Sequence, residues 1–233
     1  MNLIVELLYP RRCPVCDKPV DKLGRYICQK CKNTLRYVYS PYCLKCGKGL
    51  QDETKEYCVD CCDAVHFFER GRALYEYESI KEAIYRFKYE RRREYAVFFG
   101  KELARRFCKQ IIEWKADAIV PVPLYAEREK KRGYNQAALL AKELEKELGI
   151  PVKDKIICRV KNTLPQKMVN GKERQNNLKN AFKIVQNDVE LNTVVVVDDI
   201  YTTGATMDAV AKCLKDAGVG KVYCISLTVG RGM

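Results

Sequence analysis

The spacing of apolar and polar positions changes along the chain. Residues 1–8 are apolar but for Asn2 and Glu6 and predict a short helix packed on the body. From 10 to 62 no apolar period is sustained, and short polar segments carry paired cysteines. At 71–78 (GRALYEYE) apolar and polar residues alternate, which predicts a strand. Ser79 predicts the cap of a helix reaching about residue 89, and a second helical period runs from about 93 to 114. Apolar runs at 118–122, 156–160, 194–197 and 222–228 then alternate with amphipathic stretches at 134–148 and 205–217. A short helix is expected around 174–180. Continuous Val and Ile runs between helices predict a parallel sheet covered on both faces. The expected class is α/β, with a small cysteine-bearing module at 1–62 and the larger body at 63–233.

Composition narrows this picture. A chain of 233 residues has room for one or two domains. Hydrophobic content of 47% with 31% charged residues excludes wholesale disorder. No apolar run approaches the ~20 residues that span a bilayer, so no membrane insertion is expected. The first residues lack a basic lead and a small-residue cleavage site, which predicts a cytoplasmic protein. The net charge of +13 is spread over the whole chain. A diffuse positive field suits a polyanion such as single-stranded DNA, and equally suits solubility. Lys81 to Arg106 is the densest mixture of cations and aromatics: Arg86, Lys88, Arg91, Arg92 and Arg93 interleave with Tyr85, Phe87, Tyr89 and Tyr95. Amphipathic helices with core aromatics explain the same stretch.

The 13 cysteines carry the strongest spacing signal. Cys13, Cys16, Cys28 and Cys31 form C-x2-C-x11-C-x2-C, and Cys43, Cys46, Cys58 and Cys61 repeat it thirty residues later. Two thiolates three positions apart in a tight turn can face one ion, and two such turns complete a tetrahedral site. Two Zn2+ ions are expected. Sequential and cross-braced pairing both fit the spacing, and Cys62 could substitute as a ligand. Cys108, Cys158, Cys213 and Cys224 read as small buried hydrophobes. His66, the single histidine, reads as a packing residue at the domain junction.

The segment V-V-V-V-D-D-I-Y-T-T-G-A-T, residues 194–206, carries the chemistry. A buried strand ends in Asp198 and Asp199 and turns through Thr202, Thr203 and Gly204 into a helix that opens with Ala205 and Thr206. Free N–H groups at a helix start make an anion site, and the threonines add hydroxyls. Two acids would repel a phosphate, so they suit sugar hydroxyls. No Lys follows the glycine, which excludes a Walker loop.

This segment resembles, at all thirteen positions, the PRPP-binding signature of type I phosphoribosyltransferases. The resemblance implies that Asp198 and Asp199 hold the ribose, with Asp199 steadying it in any transfer. It implies that residues 202–206 cradle the 5-phosphate and that Mg2+ arrives with PRPP. Pro123, Leu124, Arg128 and Arg132 then occupy the place of the pyrophosphate loop. Lys161, Thr163, Pro165 and Gln166 occupy that of the flexible loop that closes over PRPP. The LLYPRRCPVC opening, V-P-V-P with R-G-Y-N-Q, and R-x-K-x-T-x-P-Q are together similar to the ComF family of competence proteins, of the ComFC type. That likeness implies a role in natural transformation, contact with single-stranded DNA and other competence proteins as partners. Two alternatives stay open: a true phosphoribosyltransferase acting on a nitrogen nucleophile, and an adaptor with a vestigial pocket.

Overall fold

The structure, a computed structural model, describes residues 10–20, 24–162, 178, 180–185 and 190–230. Four strands form one parallel sheet: β1 (Gly71–Glu76), β2 (Ala118–Pro121), β5 (Thr193–Tyr201) and β6 (Lys221–Val229). Their order is β1-β6-β5-β2, with Pro121 opposite Val197 and Asp198 opposite Ser226.

Strand alternation sorts the valines of β5 into two cores. Val195 and Val197 face α3 (Tyr77–Tyr89), α4 (Tyr95–Glu113) and α6 (Gln136–Leu148), which supply Phe87, Phe99, Leu103 and Leu140. Val194 and Val196 face α7 (Ala205–Asp216) together with Cys43, Cys46, Cys58 and Cys61. Helices therefore cover both faces, as the apolar runs predict. The second cysteine quartet belongs to one of the two cores.

Three expectations need correction. The run at 156–160 is not a strand of the parallel sheet: β3 (Ile157–Arg159) pairs antiparallel with β4 (Phe182–Ile184) in a separate ribbon. An apolar run signals burial, and Ile156 and Ile157 of this one are buried against the α7 side of the sheet. The stretch after β2 is not all loop, because α5 (Ala126–Arg132) forms within it, with acids in its first turn and bases in its last. The strand expected at 194–197 continues through both aspartates to Tyr201. Smaller shifts occur at the edges: β1 stops at Glu76, and α3 opens at Tyr77 with non-helical backbone at Ile80. The N-terminal helix at 1–8 lies outside the described residues, as does the helix expected at 174–180 apart from Leu178 and Asn180.

Two short helices complete the cysteine-rich head: α1 (Gln29–Lys32) and α2 (Val59–Cys62). No helix among the described residues is long and apolar enough to cross a membrane.

Candidate functional site

In parallel neighbours the carboxyl ends of both strands lie at one edge, the usual ligand edge of an open α/β sheet. Here the turn after β2 and the loop after β5 both lie at that edge. Consecutive pleats send Asp199 and Asp198 to opposite sides. Asp199, 7% exposed, is ion-paired with Lys88 of α3 at 2.9 Å. The end of α3 is fixed in turn: Tyr134 Oη and Gln136 Nε2 both donate to the Phe87 carbonyl, at 2.6 and 3.1 Å. Asn135 caps α6 by accepting from the Ala137 N–H, and its amide donates to the Val122 carbonyl. The G-Y-N-Q motif thus joins the turn after β2 to the helix that carries Lys88.

Asp198 lines a small pocket with Ile200, Thr202, Gly204 and Thr206. Its Oδ1 accepts from the Asp199 N–H at 2.8 Å. Burial, and then the neighbouring Asp199 charge, push its carboxyl up to about 7, against the pull of Lys88 and Arg159. Arg159 belongs to β3, which bridges to Tyr125 just before α5. Burial and the nearby Arg128 hold the Arg159 guanidinium below its ordinary value, and Asp198 acts in the opposite sense. Arg159 and Lys88 therefore place positive charge around the acid pair, with Arg128 next to Arg159. Arg132 is turned away, donating to Gln136 Oε1 at 3.0 Å and lying over the Tyr89 ring. Pro123 and Leu124 are half-buried between β2 and α5. Lys161 is exposed beyond β3, whereas Thr163, Pro165 and Gln166 lie outside the described residues.

The loop before α7 is built for close approach. Gly204 takes φ +82, and α7 has no side-chain cap. The Thr203 Oγ1 is buried with no partner among the described residues. An uncapped helix start beside an unbonded hydroxyl suits an oxyanion. A Cβ on Gly204 would lie 2.4 Å from the Tyr201 hydroxyl. Gly204→Ala is therefore expected to cost about 2 kcal/mol or more, from left-handed backbone and collision together. Thermal denaturation measures this, and adding Tyr201→Phe should recover part of the loss. No recovery would place the cost in the backbone alone.

Each cysteine quartet is gathered sequentially, which decides against cross-bracing: Cys13, Cys16, Cys28 and Cys31 in one, Cys43, Cys46, Cys58 and Cys61 in the other, sulfurs within 4.8 Å. Sγ separations of 3.6 Å (Cys13–Cys28), 3.8 Å (Cys16–Cys28) and 3.7 Å (Cys46–Cys58) fit the fourfold set. A tetrahedron with zinc–sulfur arms of 2.3 Å has edges of about 3.8 Å. Cys62 is exposed and stands outside the set. Of the remaining cysteines only Cys224 is fully buried.

The dense stretch in α3 and α4 is largely engaged within the molecule. Arg86 donates to the Val15 carbonyl, Arg92 pairs with Asp17, Arg105 pairs with Glu102, and Phe87 and Tyr95 are buried. Tyr85 and Tyr89 remain exposed, their ring centroids 5.1 Å apart.

The description "Double zinc ribbon domain" matches residues 4–62, and "Phosphoribosyl transferase domain" matches residues 99–231. Competence protein F of Haemophilus influenzae is 42% identical over 123 residues, 52% of this chain and 54% of that one. Competence protein ComFC of Bacillus subtilis is 33% identical over 151 residues, 64% and 59%. DNA utilization protein YhgH of Salmonella typhi is 29% identical over 96% of this chain and 100% of its own length. The chain belongs to the ComF family. Its body has the type I phosphoribosyltransferase fold, and its head is a double zinc ribbon. The aligned part covers little more than half of the Haemophilus and Bacillus proteins. Among solved structures, glutamine PRPP amidotransferase of B. subtilis is similar with TM-score 0.37, 22% identity, over 56% of this chain and 25% of that one. Purine phosphoribosyltransferase from Pyrococcus horikoshii gives 0.34 and 17%, over 57% and 86%.

Sequence reasoning singles out the acids and the loop before α7 but misses two neighbours. Lys88 reads as one cation among many, although it follows Phe87 on the buried stripe of α3. Arg159 reads as the start of a loop, although it lies inside the apolar run at 156–160.

Proposed function

We propose that this ComF-family protein binds PRPP with Mg2+ at the carboxyl edge of its sheet and acts in the handling of incoming DNA during natural transformation. One observation carries the reading: Asp198 and an uncapped, glycine-hinged helix start share one small pocket, with Asp199 next in the strand. In this reading Asp198 and Asp199 accept from the ribose hydroxyls. Thr202, Thr203, Gly204, Ala205 and Thr206 take the 5-phosphate through N–H and hydroxyl donors. Arg128 and Arg159 meet the diphosphate, which with the ribose oxygens holds Mg2+. The competence reading draws on the names of the relatives from Haemophilus and Bacillus. Contact with single-stranded DNA draws on the net charge of +13 and on exposed Tyr85 and Tyr89 with Arg132 beside them. Other competence proteins are the expected protein partners, and a reducing cytoplasm suits the free thiols.

Turnover is the second reading, favoured by a cleft of about 850 Å3 between the second ribbon and the ends of β1 and β6. Tyr39, Tyr57 and Tyr77 line it, and Gly230 on its wall lies beside Thr202. A flat nitrogen acceptor placed there could displace pyrophosphate from PRPP, the new bond forming at C1 of the ribose.

Calorimetric titration of PRPP and Mg2+ into the zinc-loaded protein tests both readings, with single-stranded DNA binding measured on the same samples. The expected result is saturable PRPP binding, lost in the Asp198→Asn, Asp199→Asn double variant while DNA binding persists. Absence of PRPP binding by the wild type would leave only an adaptor role. Pyrophosphate release with any acceptor would establish turnover.

A further inference from the structure

Beneath the loop before α7, three buried polar atoms have no partner among the described residues: His66 Nε2, the Tyr201 hydroxyl and Thr203 Oγ1. The His66 side chain is 3% exposed, and its Nδ1 lies 2.7 Å from Asp208 Oδ2. The next residue, Phe67, donates its backbone N–H to the other Asp208 oxygen at 2.9 Å. Residues 66 and 67, between the second ribbon and β1, thus engage both oxygens of one carboxylate.

The location of that carboxylate matters. Asp208 stands in the first turn of α7, where an acid suits the helix dipole but opposes an incoming anion. A bonded carboxylate directs its charge at His66 and the Phe67 N–H instead of the loop. The same ring supports the hinge: a Cβ on Gly204 would lie 3.3 Å from His66 Cε1. Behind it, the Phe68 ring lies tilted against His66 at 4.9 Å and meets Tyr201 edge-on at 6.3 Å. Phe68, Tyr201 and the four cysteines of the second ribbon share one core.

We propose that His66 is a positioning residue for the phosphate loop. It locks Asp208 away from the bound anion and seats Gly204, so that the second ribbon sets the loop's affinity for a phosphate monoester. The proposal rests on residues 202–206 being a phosphate-binding loop. His66 itself need not touch the ligand.

The test uses the full zinc-loaded chain and ribose 5-phosphate, titrated calorimetrically, with zinc content and melting recorded for every variant. His66→Phe keeps a ring against Phe68 but has no nitrogen. It should bind about tenfold more weakly, the scale of one hydrogen bond to a charged group. His66→Asn restores a donor toward Asp208 and should recover most of the affinity. Adding Asp208→Asn to His66→Phe should also recover it, because the exposed charge is gone; a purely structural role predicts a further loss. Should His66→Phe lose zinc, amide exchange at 204–208 in ligand-free His66→Asn decides: exchange as slow as in wild type supports the proposal, and faster exchange overturns it. Wild-type affinity in a folded His66→Phe overturns the assignment of His66 alone. Failure of the wild type to bind ribose 5-phosphate overturns the phosphate-loop reading and the proposal with it.

Discussion

Cys46→Ser is expected to lower the melting temperature far more than Cys16→Ser, although the two cysteines hold equivalent places in motifs of identical spacing. Each change should release one zinc ion per chain. Cys46 is 1% exposed and shares a core with Val194, Val196 and Ala205 of the sheet and α7. Its knuckle is pressed against β1: a Cβ on Gly47 would lie 2.6 Å from Arg72 Cα, and the Gly71 N–H donates to the Lys45 carbonyl at 2.6 Å. Cys16 is only half-buried. Its knuckle reaches the body through Asp17, held by Arg92 and Tyr95, and through partly buried Val15 at the margin of the other core, with none of its four cysteines inside a core. Structural zinc in small modules is worth about 10–16 kcal/mol of folding energy. A fraction of that, several kcal/mol, lost from the shared core corresponds to about 10 °C or more at this chain length. Loss at the outer ribbon should stay local and shift the main transition by about 3 °C or less. Calorimetry with metal analysis reads both. Equal shifts would show that the ribbons contribute alike.

How far this asymmetry was visible in advance depends on the range of the interactions. Spacing of the cysteines is local information, so both quartets could be read directly. Their burial depends on what packs against them, and the two motifs differ at one telling position. Gly47 in the second knuckle has φ +76, while Asp17 in the first adopts φ 57. Asp tolerates that region, and the substitution has a structural return: burial opposes it, yet the Tyr95 hydroxyl and Arg92 hold the Asp17 carboxyl below its ordinary range. Glycine at 47 is required by contact with β1, which no periodicity reveals.

The same division governs the site. Residues 194–206 are contiguous, so the acid pair and the loop before α7 could be read as a unit. Extension of β5 to Tyr201 was hidden because apolar patterning stops at Val197, while hydrogen bonding to β6 continues to Val229. The pairing of β3 with β4 was obscured for another reason. Each has three residues, and their pairing joins positions 157–159 to 182–184, across a polar stretch with no period. Lys88 reaches Asp199 over 111 positions. Only tertiary packing brings a cation on a helical face to an acid on a strand.

The second large effect separates the two acids by their environment. Asp198→Asn is expected to weaken PRPP binding by about a hundredfold, as the loss of charged acceptor bonds near 3 kcal/mol implies. It should also remove a pH dependence that the wild type possesses. Burial and the Asp199 charge raise the Asp198 carboxyl to about 7, above its unfolded value of 3.8. A raised carboxyl contributes stability that is complete below the unfolded value and is lost as pH rises through about 7. At about 1.4 kcal/mol per unit, the loss is up to ~4 kcal/mol. The melting temperature of Asp198→Asn relative to wild type should therefore climb between pH 5 and pH 8. Binding has the opposite slope, because ribose hydroxyls and Mg2+ both favour the ionised acid. Wild-type affinity should rise with pH to just above 7 and then level, with a proton released that calorimetry detects as heat varying with the buffer. PRPP's own phosphates add a slope of the same sign, so the measured quantity is the difference between wild type and variant. Parallel pH profiles for the two proteins would show that Asp198 is already ionised in the free protein. The acid pair would then act through fixed charge, without proton exchange.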